Sequence, residues 1–555
     1  MANFRETPNA TQIPVEIVGS STFGRYAKQS SAMTQNMFIS DEWLVNFSGY
    51  KKFLAAADTS LGRGMFHSIR GNILILVLGS AVYRVDANYN TSLIGNLATE
   101  TGEVFMDENL NNQIAIVDGL NLYITNHTLP PALTVQTGGP IGTNLIPNYV
   151  RFHDTFFLIG NAQTTNNGAQ WYAYSYATDT TVTATTQLAL QTKPDYAIAV
   201  VPIPSQSNNV LVFGKSVCEI HNHIGGTQNY RRNSTVNVDY GCLSVGTIAA
   251  SDKYIVWLGS NQNNESVILV YNGQSATPIS TDGISYLLNT IKFPEQSTAF
   301  FYKQDGHLFY QLTFFNRSDN LTLMYDFNTQ KFFHLTDENQ AFHPAVDVAY
   351  FNFKNFFLSI KNGALYLTST DLKTYNQNLV NRTSNTYDPT LDYDIPRTRI
   401  CESARRADSA RFITNSFVFT LNQGDDPNVT GLSITSGFPA AIITEDAFAP
   451  PNADVITEQG ITVIMEHNTR PVPPGSELPY LIPTELVYRP RVDMTISKDS
   501  GVTWGSTVSR NLNPVGLRQN ILTYGNLGRA NDLTIKLRFW GKGNFIVSNG
   551  ILDTY

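Results

Sequence analysis

Cysteine is scarce in this chain: three residues in 555, Cys218, Cys242 and Cys401, odd in number and widely spaced. That excludes a disulfide-built scaffold and reads as free thiols in a protein assembled in a reducing cytoplasm, with a Cys218–Cys242 bridge left as the lesser reading. Charge is scarce too. Asp, Glu, Lys and Arg make up 15% of residues and the formal net charge is −8, so there is no general electrostatic footprint for nucleic acid. No apolar run reaches twenty residues, which predicts no transmembrane helix. The opening residues MANFRETPNATQ lack the charged-then-apolar layout of a signal peptide. There is no G-x-S-x-G, no P-loop, no paired-cysteine motif and no nucleophile–base pair that spacing picks out.

What the chain does have is a recurring apolar hairpin. Residues 72–85, NILILVLGSAVYRV, hold a run too short for a membrane span and too β-branched for a comfortable helix, then a Gly79-Ser80 turn and a second run. The pattern returns in QIAIVDGLNLYI, TFFLIG with WYAY, NVLVFGKSVCEI, KYIVWLG with VILVY, HLFYQLTFF with LTLMYDF, and NFFLSIKNGALYL. These units begin at residues 72, 113, 155, 209, 253, 307 and 355, so their spacing runs from 41 to 54 residues. A small antiparallel sheet repeated at that period predicts a β-propeller of six or seven blades, because one such sheet cannot bury both faces alone. The bland alternative is an unrepetitive all-β protein whose hairpins merely look alike.

The expected organisation is a polar N-terminal segment over 1–40 and a propeller over 41–380. Residues 41–56, DEWLVNFSGYKKFLAA, read as one strand pair turning at Ser48-Gly49, which closes the ring by joining the last blade. Residues 381–423 read as a connector and the first strands of a second domain. Residues 424–483 carry nine prolines and read as an insertion or arm, since proline at that density argues against central strands. Residues 484–555 complete a β-sandwich-like C-terminal domain.

Few residues group into chemistry. Ser497, Asp499, Gly501, Thr503 and Trp504 match the Asp-box pattern S-x-D-x-G-x-T-W, a hairpin turn in which the carboxylate accepts turn N–H groups and glycine takes positive φ. The box is common in sialidases, is structural there, and occurs once here. Glu219, His221 and His223 alternate, so a strand would put a possible metal set on one face, against the plainer reading of a polar strand face. Asp388, Asp392 and Asp394 fit no Ca²⁺ loop and read as a solvated linker. The basic clusters Arg231-Arg232 and Arg405-Arg406 with Arg411 read as surface ion pairs rather than phosphate contacts. No catalytic residue and no cofactor is assigned.

Three stretches resemble the packaged-DNA stabilisation proteins of short-tailed phages, also called tail hub or nozzle proteins. DYGCLSVGTIAASDKYIVWLG is similar to that family's Gly-Cys, small-residue strand and W-L-G segment. MTISKDSGVTWG with LTYGNLGRANDLTIKLRFWGKGNFIVSNGILD is similar to its close, and QSSAMTQNMFISDEWLVNFSGYKKF to its opening. The chain departs at Asn531, where the family often has Arg, at Ser48-Gly49-Tyr50 in place of a Pro-Gly turn, and in the Pro-rich insertion. The resemblance implies a structural virion protein and no enzyme. Six copies would ring the DNA channel below the portal and its adaptor, beside tail fibres, tailspikes or a needle, and retain packaged genome until ejection. DNA would pass without specific binding, since each neutralised phosphate adds affinity. The alternative is a glycan-binding or glycan-cleaving, sialidase-like propeller, which needs convergent arginines and two placed carboxyl groups.

Overall fold

The computed structural model describes residues 11–24, 32–55, 60–127, 132–379 except 179, 205, 227–228, 262 and 264, 389–422 except 407, 455–456, 462–463, 490–512 and 519–555. Each apolar hairpin of the sequence is the second and third strand of a blade, and there are seven blades. Blade 1 is Gly62–Ser68, Ile73–Leu78, Ala81–Val85 and Thr91–Asn96. Blades 2, 3 and 4 follow with innermost strands Phe105–Glu108, Pro147–His153 and Ala199–Pro202. Blade 5 has a broken inner strand, Gly241–Cys242 and Ala249–Ala250, interrupted by a 3₁₀ turn at Val245–Thr247. Blade 6 starts with Ser297–Gln304 and blade 7 with Ala345–Phe351. Blade 7 draws its fourth strand, Gly49–Leu54, from the other end of the propeller, where it pairs with Leu365–Ser369 and carries Thr374–Asn376 on its far side. That strand closes the ring.

Alternation along each second strand explains why the ring holds. Ile73, Ile75 and Val77 point into a cluster shared with blade 2, whereas Leu74, Leu76 and Leu78 point into one shared with blade 7. Successive side chains of a strand face opposite ways, so a wholly apolar strand serves two neighbours at once. Seven such clusters occur among the described residues, one per blade interface. Each fully buried Leu, Ile or Phe in them contributes about 1.5–3 kcal/mol relative to exposure.

The remaining strands form a sandwich. One sheet is ordered Met37–Ser40, Trp43–Asn46, Ile546–Thr554, Phe412–Asn422 and Gln519–Ala530, with Thr11–Val15 also on Ile546–Thr554. The other continues blade 6 without a break: Lys331–His334, Met33–Gln35, Arg397–Ile400, Asp532–Trp540, Arg491–Ser497 and Val508–Asn511. One hydrophobic cluster spans the sandwich interior and the interface of blades 6 and 7. Two buried arginines tie the units: Arg399 donates to the carbonyls of Ser20 and Glu16 at 2.9 and 3.0 Å, and Arg397 to those of Gly541 and Lys373 at 2.8 and 3.0 Å.

This differs from the sequence reading at the N-terminus. Residues 41–56 are not one strand pair. Trp43–Asn46 pairs back on Met37–Ser40 through a turn at Asp41 and Glu42, both at positive φ, the geometry that two-residue hairpins favour. Ser48-Gly49 is the crossing from sandwich to propeller, and Gly49 has Leu372 and Thr374 carbonyls within 2.6 Å of where a Cβ would stand. Residues 1–40 are likewise no separate polar segment, because Thr11–Val15 and Met37–Ser40 complete the sandwich and Met33–Gln35 bridges the two units. The insertion 424–483 lies outside the described residues except for Val455–Ile456 paired with Thr462–Val463.

Candidate functional site

A cluster of buried charge lies on the propeller axis. A cavity of about 430 Å³ is lined by the inner strands and carries Arg63, Glu103, Asp107, Arg151 and Asp347. Inner strands are short and crowd the axis, so whatever they point inward is shut off from bulk water. Glu103 precedes the inner strand of blade 2, and its carboxylate reaches across to blade 5: a Cβ on Gly246 would lie 1.8 Å from Oε2. Only glycine fits beneath it. Burial, with the Asp347 carboxylate adding to it, pushes the Glu103 carboxyl up to about 8, a side-chain hydrogen bond from Thr298 offsetting part of this. Its Oε1 has no hydrogen-bond partner among the described residues.

Arg151 from blade 3 answers the other carboxylates. Its guanidinium stacks 4.8 Å from the Tyr149 ring centroid and is held charged, against burial, by Tyr149, Asp107 and Asp347. Burial pushes Asp347 up to about 6 although Val348 N–H and Arg151 oppose it. Asp107 is raised by burial as well, while accepting from Phe152 N at 2.7 Å. Arg63 does not face substrate chemistry. It donates to the carbonyls of Gly102, Gly79, Thr99 and Thr101 and to Thr99 Oγ1 at 2.6–2.8 Å, clamping the blade 1–2 connection. The axis therefore holds carboxyls with separated proton affinities, but both guanidiniums are already engaged by the fold, and Glu103 of blade 2 bridges the bore to Gly246 of blade 5.

The residues singled out in the sequence lie elsewhere. Glu219, His221 and His223 do share a face of Cys218–His223, the third strand of blade 4. Glu219 accepts from Gln191 N, Thr192 N and His221 Nε2 at 2.8, 2.5 and 3.2 Å, and its Oε2 forms an ion pair with Arg232 at 3.3 Å. These bonds hold its carboxyl down at about 2 despite burial. His221 Nδ1 accepts from Trp171 at 3.3 Å, and His223 turns away to Asp154 at 3.1 Å. The arrangement seals blade 3 against blade 4. Among the described residues no three His, Cys, Asp or Glu groups stand together as metal ligands.

Asp499 closes the turn between Arg491–Ser497 and Val508–Asn511. It accepts from Ser497 Oγ, Thr503 N and Thr503 Oγ1 at 2.6–2.8 Å and from Val502 N at 3.1 Å, with Gly501 at φ 88° and Trp504 beneath it. Those bonds lower its carboxyl to about 2. Asp392 pairs with Lys542 at 2.9 Å, and Asp388 lies outside the described residues. Arg405 meets Asp532, Arg406 meets Asp408, and Arg411 donates to Asn531. All three cysteines are free and buried, with burial raising the Cys401 and Cys242 thiols to about 11 and about 12.

The family model described as "Bacteriophage P22 Gp10, beta-propeller" matches residues 23–368, the stretch that holds all seven blades. A comparison with curated proteins finds no match. Solved propellers resemble the chain loosely. A virginiamycin B lyase from Staphylococcus aureus is 9% identical, with a TM-score of 0.38 over 58% of this chain and 99% of its own. The Neurospora crassa Pan2 WD40 domain is 9% identical, with a TM-score of 0.38 over 60% of this chain and 97% of its own. The Doa1 WD40 propeller is 10% identical, with a TM-score of 0.35 over 58% of this chain and 97% of its own. Likenesses that loose say nothing of activity.

Proposed function

This chain belongs to the bacteriophage P22 Gp10 β-propeller family, and from that membership we propose that it is a structural, non-enzymatic virion protein of a phage tail that retains packaged DNA. The match over the whole propeller carries the reading. In the finer form of the proposal, several copies, six by the family resemblance, ring a conduit beneath the portal and its adaptor, and the genome leaves through it on ejection. The bridged axis supports this division of labour. With Glu103 of blade 2 packed on Gly246 of blade 5, no duplex threads a single propeller, so a conduit has to be bounded by several copies. No helix among the described residues is long and apolar enough to cross a membrane.

The test is the mass and shape of the purified protein, alone and mixed with the portal–adaptor complex, by light scattering and negative-stain imaging. A symmetric ring with a central opening is expected. A monomer that ignores the adaptor would overturn the reading and return attention to a glycan ligand at the axial cavity.

A further inference from the structure

The seven turns that join first to second strand all emerge on one face of the propeller. In four blades they are polar or built on Asp and Gly: Asp154 in blade 3, Gln206 and Ser207 in blade 4, Asp252 in blade 5, Asp305-Gly306 in blade 6. In the three consecutive blades 7, 1 and 2 they present Phe353, Ile69 and Leu110, exposed to 91%, 80% and 64%. Phe353 is the oddest. Its φ is 62°, at the place where blade 6 has Gly306 at 82°, so an aromatic side chain sits in the left-handed region that disfavours it. Among the described residues nothing packs on the ring to compensate for that strain.

The three tips are fastened into one surface. Asn352 Nδ2 donates to the Ala87 carbonyl of blade 1 at 2.8 Å, and Arg70 of blade 1 donates to the Leu110 carbonyl of blade 2 at 2.6 Å. Neighbouring sheets pack about 10 Å apart, so the tips form a short row. Two of the apolar tips are followed by a cation, Ile69-Arg70 and Phe353-Lys354. Neither cation has a carboxylate partner among the described residues. The nearby acids are engaged: Asp86 accepts from Asn88 and Asn90 within its own turn, and Glu108 pairs with His127 at 2.9 Å.

The chain itself contains the complementary material. Residues 423–489 hold nine carboxylates against two arginines, seven of the eight net negative charges of the sequence, interspersed with Ile, Val, Phe and Pro. The segment leaves at Asn422, which pairs with Ile546, the residue that also pairs with Val45 beside the propeller, and returns at Pro490 next to the Trp540 end of the second sheet. Both roots thus lie on the sandwich, Asn422 beside the strand that leads into blade 7. At about 3.3 Å per residue, 67 residues reach well beyond one subunit.

We propose that the tips of blades 7, 1 and 2 receive the acidic, proline-containing segment 423–489 of a second copy of this chain. A segment rooted at one place and received at another makes a head-to-tail contact, the kind that closes into rings. The inference rests on the ring-forming reading above and names the surface responsible.

The test uses the full chain, Phe353→Gly, and a version with 423–489 replaced by a short Gly/Ser linker, in sedimentation velocity at low and high salt. Wild type is expected to associate, at least tenfold more weakly in high salt. Each variant alone should stay monomeric while folding normally, Phe353→Gly with undiminished thermal stability. Their mixture should give a one-to-one dimer, since one supplies the segment and the other the tips. Association of Phe353→Gly as strong as wild type would overturn the proposal and leave the ring standing. So would crosslinks confined within one copy, or no dimer from the mixture. Wild type that stays monomeric both alone and on the adaptor would overturn the ring as well.

Discussion

At the scale of single residues, Glu103 makes the sharpest demand. Its carboxyl titrates near 8 when folded and near the ordinary 4.5 when unfolded. Between those values the folded chain keeps a proton that the unfolded chain has released. Stability is therefore fully present below about 4.5, falls as pH rises through the window by at most about 1.4 kcal/mol per unit, and levels off above the folded value. Glu103→Gln removes the titration while keeping the shape. Urea midpoints of the variant and wild type should agree at about pH 4 and diverge by about pH 9, with the variant the more stable. Parallel curves across that range would show that the carboxyl is solvated.

At the scale of elements, the closing strand Gly49–Leu54 governs the ring. Tyr50 stacks on Tyr375 at 4.2 Å, meets Phe357 and Tyr366 edge-on, and donates to Glu338 at 2.8 Å. Tyr50→Ala should cost about 3–5 kcal/mol. Hydrogen exchange should quicken first in Leu365–Ser369, while blades 3 and 4 keep their protection. The blades were legible in sequence because their second strands, such as Ile73–Leu78, are buried on both faces and so read as unbroken apolar runs. The closing strand lies in the stretch expected of it, 41–56, but its bounds and register were not legible, because its partner at Leu365 lies some three hundred residues on and its own residues, GYKKFL, alternate weakly. The axial group was equally hidden. Glu103, Arg151 and Asp347 come from three blades, and each is a lone charge at or beside a short inner strand, ordinary until the ring brings them together.

At the scale of the molecule, neither unit is self-contained. The sandwich borrows Thr11–Val15 and Met37–Asn46, the propeller borrows Gly49–Leu54, and blade 6 shares a sheet with the sandwich. Residues 395–555 expressed alone should therefore stay unfolded, with poor dispersion of amide resonances, and should recover a folded spectrum when a peptide covering 11–46 is added. A folded spectrum without the peptide would mean that the shared strands are ornament rather than structure. Proteolysis and calorimetry of the whole chain should likewise find one cooperative transition rather than two.

The weaving of the two ends also sets a clock. Thr11 and Thr554 are hydrogen-bonded partners 543 positions apart, and at a ribosomal pace of roughly 5–20 residues per second the first strand waits about half a minute to two minutes for its mate. A prematurely terminated product would lack the strand that receives both Thr11–Val15 and Trp43–Asn46. A copy that stops short of that strand cannot complete the sheet, so the topology itself separates intact chains from truncated ones.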